Sequence, residues 1–484
     1  MTKRLSALAA SFALIASTAA WADSASNPAD TPKTPPAAAK SEKKPDQKPM
    51  NKEEREAVLV LAAAHHLIHR DPGHRHAAIH ALRDRGKKDA IPALILALRY
   101  FDDDIDKVNE ALRDLSGIDD QKQREWADWM LWLEAHPEIK PFPGFDAFKA
   151  RALIAIDPNF VSFVYPKVKH EIRLEEIVWG GVLKDGIPSL DNPELIAPEK
   201  ATYLTKDELV FGVEINGDAR AYPLRILNWH EMFNDVIGGV PVALAYCTLC
   251  GSGILFETHI DGREKPFVFG SSGLLYRSNK LMFDRETDSL WNQFTGRPVV
   301  GELTGSGIEL KIRPVTITTW QQWQKRHPKT TVLSLNTGHH RPYEPGLPYG
   351  EYFASPDLMF PAQTVDKRLK PKDFVFALRD GAHEKAWPIA FFKDRRVIND
   401  RIGDLPVVLI GDAATRTVRA YASEGKQFAS KNGKLVSGGQ SWTETETALT
   451  GPDGKTLRRL GGHIAYWFAW SGYKPKAELA SAGP

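Results

Sequence analysis

Apolar and polar positions change their rhythm several times along this 484-residue chain. From Asp23 to about Asn51 no apolar period exists; Ala, Pro, Lys, Ser and Asp dominate, and such a segment cannot bury enough surface to offset its ordering entropy. Residues 23–51 are therefore expected to be a disordered linker. From Lys52 to about residue 140 apolar residues recur at three and four positions. Glu53 to Glu56 leads into Ala57-Val58-Leu59-Val60-Leu61; Asp89 to Leu98 reads as one helix of a pair and Asp106 to Leu115 as its partner, stopped by Gly117. The expectation is a HEAT-like helical region over 52–140.

Beyond Phe142 the grammar becomes that of strands. Short β-prone runs (Phe160 to Tyr165, Leu209 to Ile215, Val240 to Tyr246, Ile254 to Glu257, Phe267 to Phe269) alternate with Gly, Pro, Asn and Asp turns, and Thr318 to His327 reads as a short helix. The fold class expected is α+β, a helical segment followed by a β-rich domain.

That β-rich domain contains a repeat. Phe211 to Leu244 aligns without a gap to Phe376 to Leu409, and ten of the 34 pairs are identical, where chance gives about two. A weaker echo pairs Ser289-Leu290-Trp291 with Gln440-Ser441-Trp442. Duplication is the economical explanation, with a first half over 141–345 and a second over 346–484. Shared residues, such as Asn234-Asp235 with Asn399-Asp400, are turn and core types. The differences carry the chemistry: Cys247 and Cys250 align with Asp412 and Thr415, His230 with Arg395, and Trp229 with Asp394. The second half reads as degenerate.

Cys247 and Cys250 are the chain's only cysteines. An apolar run precedes them and Gly251-Ser252-Gly253 follows, which predicts a hairpin with both sulfurs at its tip. Gly251 would let backbone N–H groups turn towards sulfur. Such a turn can hold a metal, cycle between dithiol and disulfide, or form a cross-link. Cross-linking so short a loop removes little unfolded-chain entropy, so a purely structural disulfide is a poor staple here. His230 stands 16 residues before Cys247 and is nominated as thiol tuner, proton relay or third ligand, with Glu231 and Trp229 beside it. The glycine-punctuated stretch Gly270 to Asn279 reads as a loop whose Tyr276, Arg277 and Asn279 can line a pocket over the sulfurs. Asp284 and Arg285 belong to a charged turn with the same possible role.

Charge and composition change this picture little. Sixty-three basic and 61 acidic residues give a formal net charge of +2, so nothing points to nucleic acid. Thirteen Trp and 33 Pro suit strands and loops. His65, His66, His69, His74, His76 and His80 crowd the helical region without a matching carboxylate or cysteine, and are expected to be solvated; the His339-His340 pair is rated no better as a metal cluster. The N-terminus does add information. Lys3 and Arg4, the apolar run Leu5 to Ala20 and the Ala20-Trp21-Ala22 site predict a signal peptide over 1–22, cleaved after Ala22. The chain is therefore expected to be periplasmic or secreted, with no membrane span after cleavage.

Ala221 to Glu231, the Tyr246 to Ser252 turn and Gly186 to Pro193 together resemble the prokaryotic domain-of-unknown-function family 3179, and Leu275 to Asn279 and Phe283 to Thr287 fit it too. The resemblance spans roughly Ile172 to Tyr473 and leaves the helical segment outside. The family has no settled activity. Some of its members carry selenocysteine at the C-x-x-C position, which implies redox chemistry at Cys247 and Cys250.

Three functions are consistent with these residues. One is a thiol redox protein using Cys247 and Cys250 with His230 nearby. Another is a copper or zinc protein with Cys247, Cys250 and His230 as ligands. The third is a binding module with a structural disulfide, its helical region recruiting a protein partner. A thioredoxin would start a helix directly after its C-x-x-C, whereas here a strand follows.

Overall fold

The computed structural model describes residues 50–363 and 366–481. The expected signal peptide, and the expected linker up to residue 49, lie outside the described residues. Residues from Asn51 onward form one compact unit. It has helices in its N-terminal part and a large β-rich region behind them, an α+β architecture.

Asn51 starts the first helix. It accepts from the Glu54 N–H at 2.9 Å while Glu54 accepts from the Asn51 N–H at 2.8 Å, a reciprocal cap that fixes α1 at Lys52–His66. Then come α2 (Pro72–Asp84), α3 (Ile91–Ala97), α4 (Ile105–Ser116), α5 (Trp126–Ala135) and α6 (Phe145–Ile154). Gly117 ends α4 with φ +80°, as its position in the sequence predicts. The helices do not form a core of their own. Ile91, Leu94, Trp129 and Phe148 pack in one cluster with Leu274, Leu281, Phe283 and Val300 of the β-region.

In the β-region Leu209–Ile215 and Asp218–Pro223 form an antiparallel pair, α7 (Leu224–His230) crosses over, and Met232–Ile237, Val240–Cys247 and Ser252–Glu257 form a meander. Phe374–Asp380, His383–Pro388, Val397–Ile402, Leu405–Asp412 and Thr417–Ala422 are paired in the same order. Registers coincide at a shift of 165 positions: Phe211 faces Tyr222 and Phe376 faces Trp387; Asn234 faces Ala243 and Asn399 faces Val408; Leu244 faces Leu255 and Leu409 faces Ala420.

The correspondence runs past the segment the sequence repeat covers. Thr316–Thr319 joins the first pair antiparallel, α8 (Trp320–Arg326) follows, and Thr331–Leu333 returns parallel to Asp218–Pro223. A connecting segment containing α9 (Gly350–Ala354) leads to Phe374. Gly462–Tyr466, α10 (Trp467–Tyr473) and Glu478–Leu479 stand in the same relation to the second pair. Even side-chain roles coincide. Asn234 exchanges two hydrogen bonds with the Phe269 backbone at 2.8 and 2.9 Å, and Asn399 does so with Phe428 at 2.8 Å each. Phe211, Leu244, Phe376 and Leu409 share one core.

Two stretches differ from expectation. Phe160 to Tyr165 is not a strand: Asp157 caps a 3-10 helix, Pro158–Ser162, by accepting from Asn159 N–H at 2.9 Å, with Pro158 in its first turn. Gly270 to Asn279 is not a loop but strand Phe269–Tyr276, a two-residue turn and the start of strand Asn279–Asp284. Both strands are buried along their whole length, so the usual apolar–polar alternation is missing. A Cβ on Gly270 would lie 2.5 Å from the Phe283 ring, so the glycine there admits the ring.

Candidate functional site

The meander delivers both cysteines to the tip between Val240–Cys247 and Ser252–Glu257. Cys250 N–H donates to Cys247 O and Gly251 N–H to Thr248 O, each at 3.2 Å, closing a tight turn. These donors go to carbonyls and not to sulfur, which corrects the expectation for Gly251. Its glycine is required for other reasons: φ is +58°, and a Cβ would lie 2.9 Å from the Phe374 ring and 3.1 Å from that of Tyr466.

Both cysteines are free thiols, with side chains almost wholly buried. Their sulfurs lie 2.8 Å apart. Closing a bond of roughly 2.05 Å needs a shift of under about 1 Å. The Cys250 thiol donates to Ser278 O at 3.1 Å, and the Asn279 amide donates to the Cys250 sulfur at 3.5 Å and to Gln293 Oε1 at 2.8 Å. Gln293 also accepts from Ser252 Oγ at 3.1 Å and donates to Ala245 O and Ser252 O, which locks the amide frame around the turn. Burial pushes the Cys250 thiol well above its ordinary range, and the adjacent Cys247 sulfur adds to the shift.

A buried ion pair flanks the sulfurs. Lys280 Nζ donates to Glu231 Oε2 at 3.0 Å, and Glu231 Oε1 accepts from Thr248 Oγ1 at 2.7 Å and Tyr349 OH at 3.1 Å. Glu231 is thus tied directly to Thr248, one of the two residues between the cysteines. The connecting segment covers the turn: Tyr352, in α9, donates to Leu249 O at 2.7 Å, and Ser278 Oγ donates to Pro361 O at 2.6 Å.

His230 is turned elsewhere, contrary to its nomination. Its Nδ1 donates to Pro188 O at 2.9 Å and its Nε2 accepts from Tyr343 OH at 2.6 Å, so both ring nitrogens are used away from the sulfurs. Burial lowers its pKa to about 4 and keeps the ring neutral, with a smaller push in the same direction from His339 and Arg341. Trp229 donates to Pro342 O at 2.9 Å. Asp284, fully buried, accepts from Trp291 Nε1 at 2.9 Å and from the Thr287 N–H at 2.7 Å, a structural role. Arg285 pairs with Asp185 at 2.9 and 3.0 Å and faces a separate cleft of about 430 Å³ shared with Asp191, Thr337 and His339. Tyr276 is buried with its ring edge-on to Tyr473, and Arg277 pairs with Glu176 at 2.7 Å. Of the residues nominated beside the cysteines, Glu231 and Asn279 border the sulfur turn through their own hydrogen bonds.

Residues 184–477 match the profile of a family described as protein of unknown function DUF3179. This chain belongs to that family. The match contains the cysteine turn, Glu231, Lys280, the first strand set and the second up to Ala477, and excludes α1 to α6. No curated protein and no solved structure matches the chain.

Among the described residues no group of three or more His, Cys, Asp or Glu is disposed to hold a metal ion. His66, His69 and His74 do cluster, with ring centroids 4.4 to 5.9 Å apart, but His69 Nδ1 accepts from the Asp71 N–H at 3.0 Å. No helix of the described residues is long and apolar enough to cross a membrane. Sequence reasoning missed Gln293, Lys280, Tyr349 and Tyr352. Lys280 had a signal, since a lysine inside the run Asn279 to Asp284 needs a buried partner. The tyrosines arrive from about a hundred positions away with none.

Proposed function

We propose that Cys247 and Cys250 form a dithiol–disulfide redox centre. The observation that carries this reading is the 2.8 Å approach of two free sulfurs, one with its S–H directed to a carbonyl. Cys247 is the attacking sulfur and Cys250 the resolving one, because burial holds Cys250 in its thiol form. The Cys247 thiolate attacks a small disulfide, forming a mixed disulfide and expelling one thiolate. Cys250 then attacks the Cys247 sulfur and expels the second, and the two thiol protons leave with the departing groups. Glu231 and Lys280 anchor the turn through Thr248; His230 takes no part at sulfur. The metal reading loses its third ligand, since both nitrogens of His230 are otherwise engaged.

The finer features belong to the same proposal. Coincident registers and the paired Asn234 and Asn399 roles support descent of the two halves from one duplicated unit, the second without thiols. The basic, apolar and A-x-A pattern of residues 1–22 supports export, where such a pair would meet an oxidising compartment. The packed pair α3 and α4 supports the HEAT-like reading, and Val58 and Leu59, 53% and 69% exposed on α1, offer a surface to a protein partner.

Trapping tests the assignment. In Cys250→Ser, Cys247 forms a mixed disulfide with oxidised glutathione that accumulates in intact-mass spectra, whereas Cys247→Ser does not trap one. Trapping on Cys250 alone would reverse the roles, and no adduct on either variant would remove the redox reading.

A further inference from the structure

The turn that receives the Cys250 thiol is gripped from its other side. Tyr276 and Asn279 pair across two residues, and both of these, Arg277 (φ 49°) and Ser278 (φ 60°), take left-handed backbone. Gly and Asn are the usual occupants of such a turn, and other side chains are disfavoured there. The conformation persists where its surroundings over-determine it. Arg277 Nε donates to Glu176 Oε2 at 2.7 Å, and Glu176 is 1% exposed. Arg173 donates to Glu176 Oε1 at 2.6 Å and reaches Leu133 O and Ile139 O at 3.1 and 3.2 Å, the first within α5. The second turn residue is held as well, through Ser278 Oγ on Pro361 O. Helices, ion pair, turn and sulfur therefore form one chain of contacts.

We propose that Glu176 and Arg277 are positioning residues for the Cys247–Cys250 pair, through which the helical region sets the balance between dithiol and disulfide. This rests on the redox reading above, and Glu176 lies outside the 184–477 family match. The hydrogen bond from Cys250 to Ser278 O exists only in the dithiol, because a disulfide has no S–H to donate. Breaking the Glu176–Arg277 pair lets the turn relax away from the sulfur and removes that bond. The reduced form alone loses stability, so the equilibrium moves towards disulfide. The loss of one such bond corresponds to about a fivefold change.

The test uses the full chain in glutathione mixtures, where protein dithiol plus one oxidised glutathione gives protein disulfide plus two reduced glutathiones. Acid quenching, alkylation and mass spectrometry read the fractions. Glu176→Gln and Arg277→Ala each raise the equilibrium constant about fivefold, while Arg277→Lys, still able to donate to Glu176, stays near wild type. Glu175→Gln serves as control: its carboxylate accepts from Arg173 Nε at 2.8 Å, so its loss weakens the same region without touching the turn. A wild-type pair that cycles while Glu176→Gln and Arg277→Ala leave the constant unchanged overturns this inference alone. Equal shifts in Glu175→Gln and Glu176→Gln overturn it too, by reducing the effect to general loosening. A wild-type pair that never closes overturns the redox reading and this inference with it.

Discussion

Gly251 shows how tightly single residues specify the sulfur turn. Its positive φ and the Phe374 and Tyr466 rings leave no place for a methyl group. Gly251→Ala is expected to cost about 1–3 kcal/mol, read as a lower urea midpoint at unchanged slope. His230 makes a second residue-scale prediction through its folded pKa of about 4, below the unfolded 6.5. Between those values the unfolded chain binds the proton and the folded chain does not, so stability falls as pH drops from about 6.5 to 4. Glu134 opposes this: burial raises it to about 7, so its contribution to stability grows as pH falls from 7 towards 4.5. The His230 share is isolated by comparing stability–pH slopes of wild type and His230→Gln. The variant is expected to lose less stability on acidification, by on the order of 1–3 kcal/mol, and identical slopes would show that His230 does not titrate as described.

At the scale of elements, the segment bearing α9 covers a turn whose sulfurs have almost no exposure, so the proposed redox reaction requires that cover to lift before a disulfide substrate can reach them. Tyr352→Phe removes the bond to Leu249 O and is expected to speed alkylation of Cys247 about fivefold, as loss of roughly 1 kcal/mol of closure implies. Labelling kinetics followed by mass spectrometry measure it; an unchanged rate would mean that access does not run past α9. Elements also show what was legible. Leu209–Ile215 stands in the sequence as it does in the fold, because β-branched and apolar residues sit between clear turn signals. Phe269–Tyr276 was opaque: a strand buried on both faces has no alternation, and its glycines look like loop. The short runs from Phe160 lost to capping chemistry at Asp157-Pro158.

For the whole molecule, the repeat was visible over Phe211 to Leu244, yet the spatial correspondence extends to α8 and α10 and the strands around them, where Ile317 with Ile464, Trp320 with Trp467, Trp323 with Trp470 and Pro328-Lys329 with Pro475-Lys476 mark it. Core positions tolerate apolar exchange, so register outlasts sequence identity. The sulfur site was half legible. Local spacing located the cysteines, whereas His230 pointed away because a helix end followed by a left-handed Glu231 (φ 53°) turns the two side chains apart. The helical region shares a core with the β-region, and the two are expected to unfold together. Hydrogen exchange on amides of α3 and of Val240–Cys247 should report the same opening free energy; α3 opening at much lower cost would make the helices an independent appendage.

The proposed redox function depends most on a reversible bond between Cys247 and Cys250. The decisive measurement is the thiol content of the purified full chain across a series of reduced-to-oxidised glutathione ratios, with peptide mapping of the bridge. The expected result is a single two-electron transition, the same from the reduced and the oxidised side, with the bridge mapped to Cys247–Cys250. Two thiols that stay alkylatable at every ratio, or a bridge that no ratio reopens, would contradict it.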